Sequence, residues 1–228
     1  MYFKGSNRIR HILGLPPRDY IEKRKRLALR YLPKNPVIID AGAHDGNDSM
    51  LMARIWPQGT IHAFEPVPAT FAKLYRATQH YTNIRTYHLA LGNLTGKATM
   101  HVSSGNDADS SSLFSPTGSL ASHPVLRFES SVEVDVMTLD DWSEKFNVRH
   151  VDFLWLDMQG GELSAMQSGR KLLTCVRAVI CEVAYIREYD GAPLHNEIKS
   201  WMNQAGFYVK REWKNGPESG DVFFVRRI

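Results

Sequence analysis

The chain has 228 residues, of which 43% are hydrophobic and 23% charged, and its formal net charge of +4 is ordinary for one soluble globular domain with a sizeable core. No window approaches the roughly 18 consecutive apolar residues of a membrane-spanning helix, and we expect no secretory signal because the N-terminus lacks a continuous apolar stretch. The two cysteines, Cys175 and Cys181, exclude a disulfide framework, so we expect a reducing, cytoplasmic environment.

The first predicted element is a basic helix over residues 19–31, which two prolines end. Four consecutive basic residues, from Lys23 to Arg26, are interpreted as the solvated face of an amphipathic helix. A contact with nucleic acid or with an anionic membrane surface is the alternative. We therefore divide the chain into a basic N-terminal helical extension, 1–35, and a main domain, 36–228.

Strands and helices then alternate along the chain. Apolar runs rich in β-branched residues predict buried strands, and segments with helical spacing predict helices between them. The predicted strands cover 37–40, 60–66, 83–91, 151–158 and 178–184, and the predicted helices cover 49–56, 69–78, 162–169 and 194–206. A closing hairpin is predicted from 206–213 and 221–228. The alternation predicts a parallel sheet with helices on both faces.

The middle of the chain interrupts this alternation. Residues 96–103 and 131–137 are predicted to form paired strands. Between them lies a Ser-, Gly- and Pro-rich insertion over about 103–131, and a loop of this length is usually functional or disordered. We expect the insertion to act as a lid and, together with the N-terminal helix, to determine substrate specificity.

The first strand runs into the sequence DAGAHDG, residues 40–46. Ligands of doubly wound sheets bind where the strands end, and Gly42 and Gly46 let the backbone turn and approach a ligand. A dinucleotide-binding fold would place GxGxxG here. The carboxylate of Asp40 would instead repel a pyrophosphate and favour a cationic group such as a sulfonium. The pattern indicates S-adenosylmethionine rather than NAD, with a turn or helix-capping role for Asp40 as the alternative.

The second strand ends at Glu65, which Pro66 follows. An acidic residue at this position can accept hydrogen bonds from both ribose hydroxyls of an adenosine. The alternative for Glu65 is an exposed loop carboxylate. We also assign Ala43, His44 and Pro66, which adjoin these motifs, to the cofactor site, and ordinary loop packing is the alternative for His44.

A third group of polar residues follows the fourth core strand. Asp157 ends this strand at the same edge as Asp40, where its carboxylate could orient the donor or accept a proton from the acceptor. Gln159 turns the chain, and Glu162 opens the next helix, where it could simply favour the helix dipole. Glu182, on the neighbouring strand, faces either the cleft or the core.

These motifs resemble those of a known family. Six segments, in this order, are similar to the FkbM-type methyltransferases: VIIDAGAHDG, HAFEPVP, HLALGN, SSL at 111–113, VDVMTLDDW and FLWLDMQGGELSAMQSG. The resemblance covers roughly residues 36–212. It implies a class I, Rossmann-like α/β fold with a doubly wound, mostly parallel seven-stranded sheet and an antiparallel C-terminal strand. The implied activity is S-adenosylmethionine-dependent methyl transfer, typically to a hydroxyl oxygen of a sugar or natural product, with S-adenosylhomocysteine as the product.

The resemblance also implies roles for individual residues. The implied cofactor residues are Asp40, Gly42 and Gly46 beside the methionine part, Glu65 at the ribose, and Ala90 and Leu91 near the adenine. On the acceptor side we expect Ser111, Ser112, Gln159 and Glu162. The family often has a glutamate where Gln159 stands, which puts in doubt any role of that glutamate as a base or ligand here.

A neutral alcohol is a poor nucleophile, so we expect a general base. Asp157 is the first candidate. His123, in the insertion, is the second, as part of a lid that folds over the site. A divalent metal that bridges Asp157 and the acceptor is compatible with the sequence, but no ligand cluster requires one, and we assign no metal site.

Other functions stay open as alternatives. The acceptor could be a peptide amine, a peptide carboxylate or RNA, and only Gln159 favours a non-catalytic cofactor-binding protein. The missing GxGxxG motif argues against an NAD(P)-dependent oxidoreductase, and the lack of interleaved aromatic and basic motifs argues against nucleic-acid binding. We expect a small-molecule or saccharide acceptor and note that such folds are commonly homodimers.

Overall fold

The computed structural model describes residues 18–105, 110–117 and 126–227 of the chain. The candidate base His123, with the rest of 118–125 and with 106–109 of the predicted insertion, lies outside the described residues. No helix within the described ranges is long and apolar enough to cross a membrane.

The predicted helices and strands occur in the predicted order, and the structure adds two short helices that were not predicted, Leu139–Lys145 and Arg170–Leu173. The strands are β1 (Val37–Ala41), β2 (Thr60–Phe64), β3 (Ile84–Tyr87), β4 (Ala90–Leu91), β5 (Gly96–Gly105), β6 (Leu126–Met137), β7 (Phe153–Leu156), β8 (Ala178–Ala184), β9 (Phe207–Lys214) and β10 (Ser219–Arg226). The helices are α1 (Arg18–Ala28), α2 (Asn47–Ile55), α3 (Pro68–Thr78), α4 (Leu139–Lys145), α5 (Glu162–Ser168), α6 (Arg170–Leu173) and α7 (His195–Gln204).

Seven strands form one sheet in the order β3-β2-β1-β7-β8-β10-β9. The strands from β3 to β8 in this order pair in parallel, and β10 pairs antiparallel with both β8 and β9. Within this sheet only β10 therefore runs against the others. The predicted doubly wound, mostly parallel seven-stranded sheet with an antiparallel C-terminal strand is confirmed. Chain order reverses between β1 and β7, which is where doubly wound sheets bind ligands.

One predicted strand is divided between two sheets. The segment predicted as a single strand over 83–91 forms β3, which pairs with β2, and β4, which pairs with β6 in a separate three-stranded sheet. Tyr87, Leu89, Ala90 and Leu91 are all buried. Because Tyr87 at the end of β3 and the whole of β4 are buried, the apolar pattern does not reveal the change of sheet.

The predicted pairing of strands in the middle of the chain is confirmed and is longer than expected. β5 and β6 are antiparallel neighbours, and they include both ends of the predicted insertion over 103–131. The backbone of Ser112 exchanges two hydrogen bonds with that of His101 on β5, with N···O distances of 2.8 and 3.1 Å. The described central part of the insertion, 110–117, is thereby attached to this small sheet.

Both faces of the central sheet are buried. Side chains on β7 alternate between two hydrophobic clusters: Phe153 and Trp155 belong to one, and Leu154 and Leu156 belong to the other. This two-sided burial explains the continuous apolar sequence of β7, which is typical of strands in parallel sheets.

Helix α1 packs on the central sheet and does not present all of its basic residues to solvent. Arg24 and Lys25 are only 3% and 0% exposed, whereas Lys23 and Arg26 are exposed. The guanidinium group of Arg24 donates hydrogen bonds to the carboxylate of Asp221 on β10 and, over 2.8 Å, to the side chain of Asn215. The interpretation of the four basic residues as a solvated face is therefore wrong for the middle two, which are buried where α1 packs on the sheet and which pair with Asp221 and with the partly exposed Asp48.

We expect Arg24→Met to lower the free energy of unfolding by about 3 kcal/mol, because Asp221 would keep its buried charge without its cationic partner. Urea denaturation measures the change. Arg26→Met is the matched control: this exposed residue pairs only with exposed Glu22, and its loss should change stability by no more than about 0.5 kcal/mol. Equal effects of the two substitutions would contradict the anchoring role of Arg24.

Candidate active site

The ends of β1 and β7 meet in an unusually close backbone contact. The N–H of Asp157 donates to the carbonyl oxygen of Ala41 over 2.9 Å, which continues the pairing of the two strands. A Cβ on Gly42 would lie 1.7 Å from the carbonyl oxygen of Asp157, and the φ angle of Gly42 is +82°. Only glycine fits this position, because it combines a left-handed backbone with the absence of a side chain.

The loop after Gly42 folds back towards β2 and then starts α2. The N–H groups of Gly42 and Ala43 both donate to the carbonyl oxygen of Phe64, over 3.1 and 2.9 Å. Gly46 has a φ angle of +87°, and a Cβ there would lie 2.9 Å from a side-chain carbon of Leu74 on α3. The two glycines of the DAGAHDG sequence therefore serve to pack this loop, which we call the glycine loop (42–46), against its neighbours.

A cleft, here called the main cleft, opens at the carboxyl edge of the sheet between the glycine loop and the small sheet. Its empty volume, including the open mouth, is about 630 Å³, within the range of small-molecule sites. Many of the predicted site residues line it, namely Gly42, His44, Glu65, Pro66, Ala90, Leu91, Ser111, Asp157 and Gln159. The folded chain thus brings together residues that the sequence spreads over more than a hundred positions.

Other predicted site residues lie behind the residues that line the main cleft. Ala43 and Gly46 pack against neighbouring elements, and Asp40 is 0% exposed and does not line the main cleft. The carboxylate of Asp40 accepts a hydrogen bond from the hydroxyl of Ser49 on α2. The alternation of side chains along β1 explains this placement, because Asp40 shares the sheet face of Ile38, which packs towards α1. A direct contact of Asp40 with a ligand stays a prediction.

Asp40 is a buried acid with incomplete hydrogen bonding. Its second carboxylate oxygen has no hydrogen-bond partner among the described residues. Burial and the nearby charge of Asp48 raise the pKa of Asp40 to about 7, although the Ser49 hydroxyl and the Lys25 ammonium act in the opposite direction. The group therefore changes its charge near neutral pH.

Glu65 is held at the wall of the main cleft by two backbone donors. One carboxylate oxygen accepts the N–H of Val67 over 2.7 Å, and the other accepts the N–H of His44 over 3.2 Å. Burial raises the pKa of Glu65 to about 7, and these two hydrogen bonds partly counteract that shift. Each oxygen retains a lone pair, so the carboxylate can still accept hydrogen bonds from a vicinal diol.

Gln159 organises the acidic groups at the end of β7. Its amide nitrogen donates to Asp157 over 3.0 Å and to Glu182 over 2.7 Å, and its amide oxygen accepts the hydroxyl of Tyr189 over 3.3 Å. The carbonyl oxygen of Gln159 also accepts the hydroxyl of Ser112 over 2.7 Å. Gln159 has a φ angle of +53°, in the left-handed region that few non-glycine residues adopt.

Ser112 and Glu162 have structural contacts that the sequence did not show. Ser112 is fully buried and joins the insertion to the backbone of Gln159. Glu162 is 2% exposed and accepts the N–H groups of Met158 and Gly160 over 2.7 and 3.1 Å, which fixes the turn between β7 and α5. Burial raises the pKa of Glu162 to about 7.

A second opening, the side cleft, adjoins the main cleft and shares Gln159 with it. Its empty volume is about 420 Å³. Its charged lining consists of Glu162, Glu182, Glu188 and Arg187. Sequence reasoning missed Glu188 and Tyr189 of this cleft, because they follow β8 in an irregular segment with no recognisable motif. Asp157 lines the main cleft and is hydrogen-bonded to the shared Gln159.

The fold and the site define a Rossmann-like α/β protein of the class I methyltransferase type. A family model described as the methyltransferase FkbM domain matches residues 40–209, and the chain belongs to this family. It is an S-adenosylmethionine-dependent methyltransferase, as the resemblance in its motifs implied.

Two curated relatives agree with this membership. The 2-O-methyltransferase NoeI of Sinorhizobium fredii is 28% identical over 162 residues, which cover 69% of this chain and 67% of NoeI. The methyltransferase sdnD of Sordaria araneosa is 25% identical over 225 residues, which cover 86% of this chain and 83% of sdnD.

Solved structures share the fold at low sequence identity. A SAM-dependent methyltransferase from Aquifex aeolicus has a TM-score of 0.50 at 13% identity and matches 98% of this chain and all of its own. Fibrillarin from Aeropyrum pernix, in complex with natively bound S-adenosyl-L-methionine, has a TM-score of 0.51 at 16% identity, with 90% of this chain and 73% of its own covered.

The residues of the main cleft fit S-adenosylmethionine. Glu65 offers acceptors for a ribose diol, and the apolar wall formed by Leu89, Ala90 and Leu91 suits a flat purine ring. The carboxyl group of Asp157 lines the same cleft, where it can attract the positive charge of a sulfonium group. Among the described residues, no group of three or more His, Cys, Asp or Glu side chains is arranged to hold a metal ion.

We expect Gly42→Ala to weaken S-adenosylhomocysteine binding by more than tenfold, because the new Cβ would push the ends of β1 and β7 apart. Titration calorimetry measures the affinity. Gly191→Ala is the matched control, since Gly191 has a similar φ of +75° but open space around its Cβ position. It isolates the roughly 1–2 kcal/mol cost of the left-handed backbone from the steric effect. Similar affinity losses in both variants would contradict the steric explanation.

We expect S-adenosylhomocysteine affinity to fall up to roughly tenfold between pH 8 and pH 6. Ribose hydroxyls donate to the ionised form of Glu65, so binding lowers its pKa from about 7 and releases a proton. Calorimetry in buffers of different ionisation enthalpy counts that proton. Glu65→Gln should bind more weakly at pH 8 and release fewer protons. Proton uptake on binding would overturn the assignment of Glu65 to the diol.

Proposed function

We propose that this enzyme transfers a methyl group from S-adenosylmethionine to a hydroxyl oxygen of a small molecule, such as a sugar or a natural product. The observation that carries the proposal is the position of Asp157, an exposed carboxyl group that lines the main cleft and accepts a hydrogen bond from Gln159, the residue that the two clefts share. One cleft fits the donor, and the other leaves room for an acceptor. The name of its relative NoeI, a 2-O-methyltransferase, supports oxygen as the acceptor atom.

We assign the main cleft to the cofactor. Glu65 binds the ribose, and Pro66, Ala90 and Leu91 lie around the adenosine. Gly42 and His44 lie along the methionine part. Ala43, Gly46 and Asp40 act from behind, by fixing the conformation of the glycine loop, because their side chains or Cα positions are packed away from the opening.

We assign the side cleft to the acceptor, and its charge favours neutral or cationic molecules. The guanidinium group of Arg187 is occupied by the carbonyl oxygen of Ala192 and by Glu197, 3.6 Å away. Arg187 is therefore less available to a phosphate or carboxylate than a free guanidinium would be. The acidic side chains of this lining, Glu162, Glu182 and Glu188, offer such an anion no positive charge. Carboxylates accept hydrogen bonds from sugar hydroxyls, so a polyhydroxylated acceptor matches this lining.

Asp157 is the general base in this proposal. The bound cofactor supplies an activated methyl group, so the protein must position the acceptor hydroxyl and remove its proton. Burial and the neighbouring Asp157 raise the pKa of Glu182 well above its usual range. In this proposal Glu182 takes the proton that the pair holds, which leaves the exposed Asp157 as the group that faces the cleft. Gln159 fixes the orientation of Asp157 by donating to it.

The secondary proposals are a cytoplasmic location and an acceptor that is not a nucleic acid. Cys175 and Cys181 are unpaired thiols, which suits a reducing compartment. Arg24 and Lys25, half of the basic sequence that suggested an RNA contact, are buried against the protein itself. His123 stays a second candidate base, and a homodimer is compatible with the fold.

The direct test is a methyl-transfer assay with labelled S-adenosylmethionine on a panel of acceptors, preceded by calorimetry with S-adenosylhomocysteine and with NAD. We expect micromolar binding of S-adenosylhomocysteine, none of NAD, and label transfer to neutral or amino sugars but not to the corresponding sugar phosphates. Preferential methylation of phosphorylated acceptors or of RNA would overturn the acceptor assignment while leaving the cofactor assignment intact.

We expect Asp157→Asn to lower kcat by at least about a hundredfold, the low end of the contribution of general base catalysis, and to change S-adenosylhomocysteine affinity only a few-fold. The amide retains the size of the carboxylate but is not basic. Glu188→Gln is the control, since it alters the charge of the side cleft without touching the base, and it should raise KM more than it lowers kcat. If Asp157→Asn retained full turnover, Asp157 would not be the general base and another residue would have that role.

A further inference from the structure

Lys25 of helix α1 reaches the back of the cofactor site. Its side chain is fully buried, and its ammonium nitrogen lies 3.1 Å from a carboxylate oxygen of Asp48 in the first turn of α2. The same nitrogen lies 3.1 Å from the ring centroid of Trp155 on β7. Trp155 is the register partner of Asp40 on β1. One lysine thus contacts the helix that follows the glycine loop and the strand that ends at Asp157.

A buried lysine requires compensation by nearby negative charge. Burial lowers the pKa of Lys25, and the carboxylates that oppose this shift are Asp48, Asp40 and Asp157. The aromatic face of Trp155 adds a cation–π contact. All three carboxylates lie at the carboxyl edge of the sheet, so Lys25 is embedded in the electrostatics of the cofactor site and not in a separate surface ion pair.

Lys25 and Asp40 each favour the charged form of the other. The charged and polar groups that face Asp40 are Lys25 from α1, Asp48 and Ser49 from α2, and Asp157 from the end of β7. The two aspartates repel its charge, and Ser49 supplies a single hydrogen bond. Among these groups Lys25 alone carries a positive charge that can keep Asp40 ionised.

We infer that Lys25 is a positioning residue of the cofactor site: its buried ammonium group balances Asp40 and Asp48 and holds the glycine loop from behind, so that helix α1 completes the site. Helix α1 precedes the segment 40–209 that matches the family, so this support comes from outside the family domain. The inference rests on the assignment of the glycine loop to the cofactor.

The test compares S-adenosylhomocysteine affinity from pH 5.5 to 8.5 in the full chain and in the variants Lys25→Met and Lys25→Arg. We expect Lys25→Met to bind roughly tenfold more weakly at pH 7 and to move the midpoint of the pH profile upward, by up to about one unit, because the Asp40 step would move to higher pH without the cation that favours its ionised form while the Glu65 step stays in place. Lys25→Arg retains the charge and should keep the midpoint of the unaltered protein. Arg26→Met, one residue further on the same helix, should match the unaltered protein in both quantities.

A double-mutant cycle with Asp40→Asn separates positioning from packing. If Lys25 acts through Asp40, adding Lys25→Met to Asp40→Asn should change affinity less than twofold and leave the residual pH step, which belongs to Glu65, in place. An equal loss in both backgrounds, or a loss without a shift of the midpoint, would overturn the inference and assign Lys25 to the core alone. Should Lys25→Met fail to fold, Lys25→Gln takes its place with the same expected shift.

The outcomes distinguish this inference from the proposed function. If the unaltered protein binds no S-adenosylhomocysteine, the assignment of the glycine loop to the cofactor fails. If the unaltered protein binds it and Lys25→Met binds it equally well with the same pH profile, only the role of Lys25 fails.

Discussion

The close approach of Gly42 to the carbonyl oxygen of Asp157 is the contact on which the rest of the site depends. β1 and β7 are neighbours at the point where strand order reverses, and their ends can meet only because position 42 has no side chain. The contact sets the glycine loop against β2, which brings Glu65 to the same wall, and it directs the chain after β7 into the turn that carries Gln159. The main cleft is the space left between these segments.

The second constraint is the unfavourable free energy of burying several carboxyl groups at one edge of the sheet. Asp40, Glu65, Glu162 and Glu182 all have raised pKa values because the protein removes them from water. The groups that compensate for this burial differ. A hydroxyl and a buried lysine act on Asp40, and backbone N–H groups of the loops act on Glu65 and Glu162. The amide of Gln159 acts on Glu182. These carboxyl groups favour the folded state while they are protonated, so their contribution to stability declines as pH rises towards and through 7. The site is thus preorganised for a cationic cofactor at the expense of stability.

Gln159 shows how a departure from the family pattern can be understood from its contacts. Its amide nitrogen donates to two carboxylates at once, and its amide oxygen accepts from Tyr189. A glutamate at this position, if ionised, would present another acceptor to Asp157 and Glu182 and would increase the repulsion between them. The glutamine therefore allows Asp157 and Glu182 to lie close together, because its amide nitrogen donates to both of them at the residue that the main and side clefts share.

The sequence by itself determined the alternation of strands and helices, the closing hairpin and the carboxyl edge that carries Asp40, Glu65 and Asp157, because burial leaves a periodic apolar pattern and glycines mark the turns. It did not determine that residues 83–91 divide between two sheets, since the buried apolar residues continue from the end of β3 into β4. The direction of Asp40, the network around Gln159 and the burial of Arg24 and Lys25 were decided only by tertiary structure. Whether a charged side chain is solvated or contacts a buried partner depends on elements that lie far apart in the sequence, such as α1 and β10. The local sequence pattern does not predict such a contact.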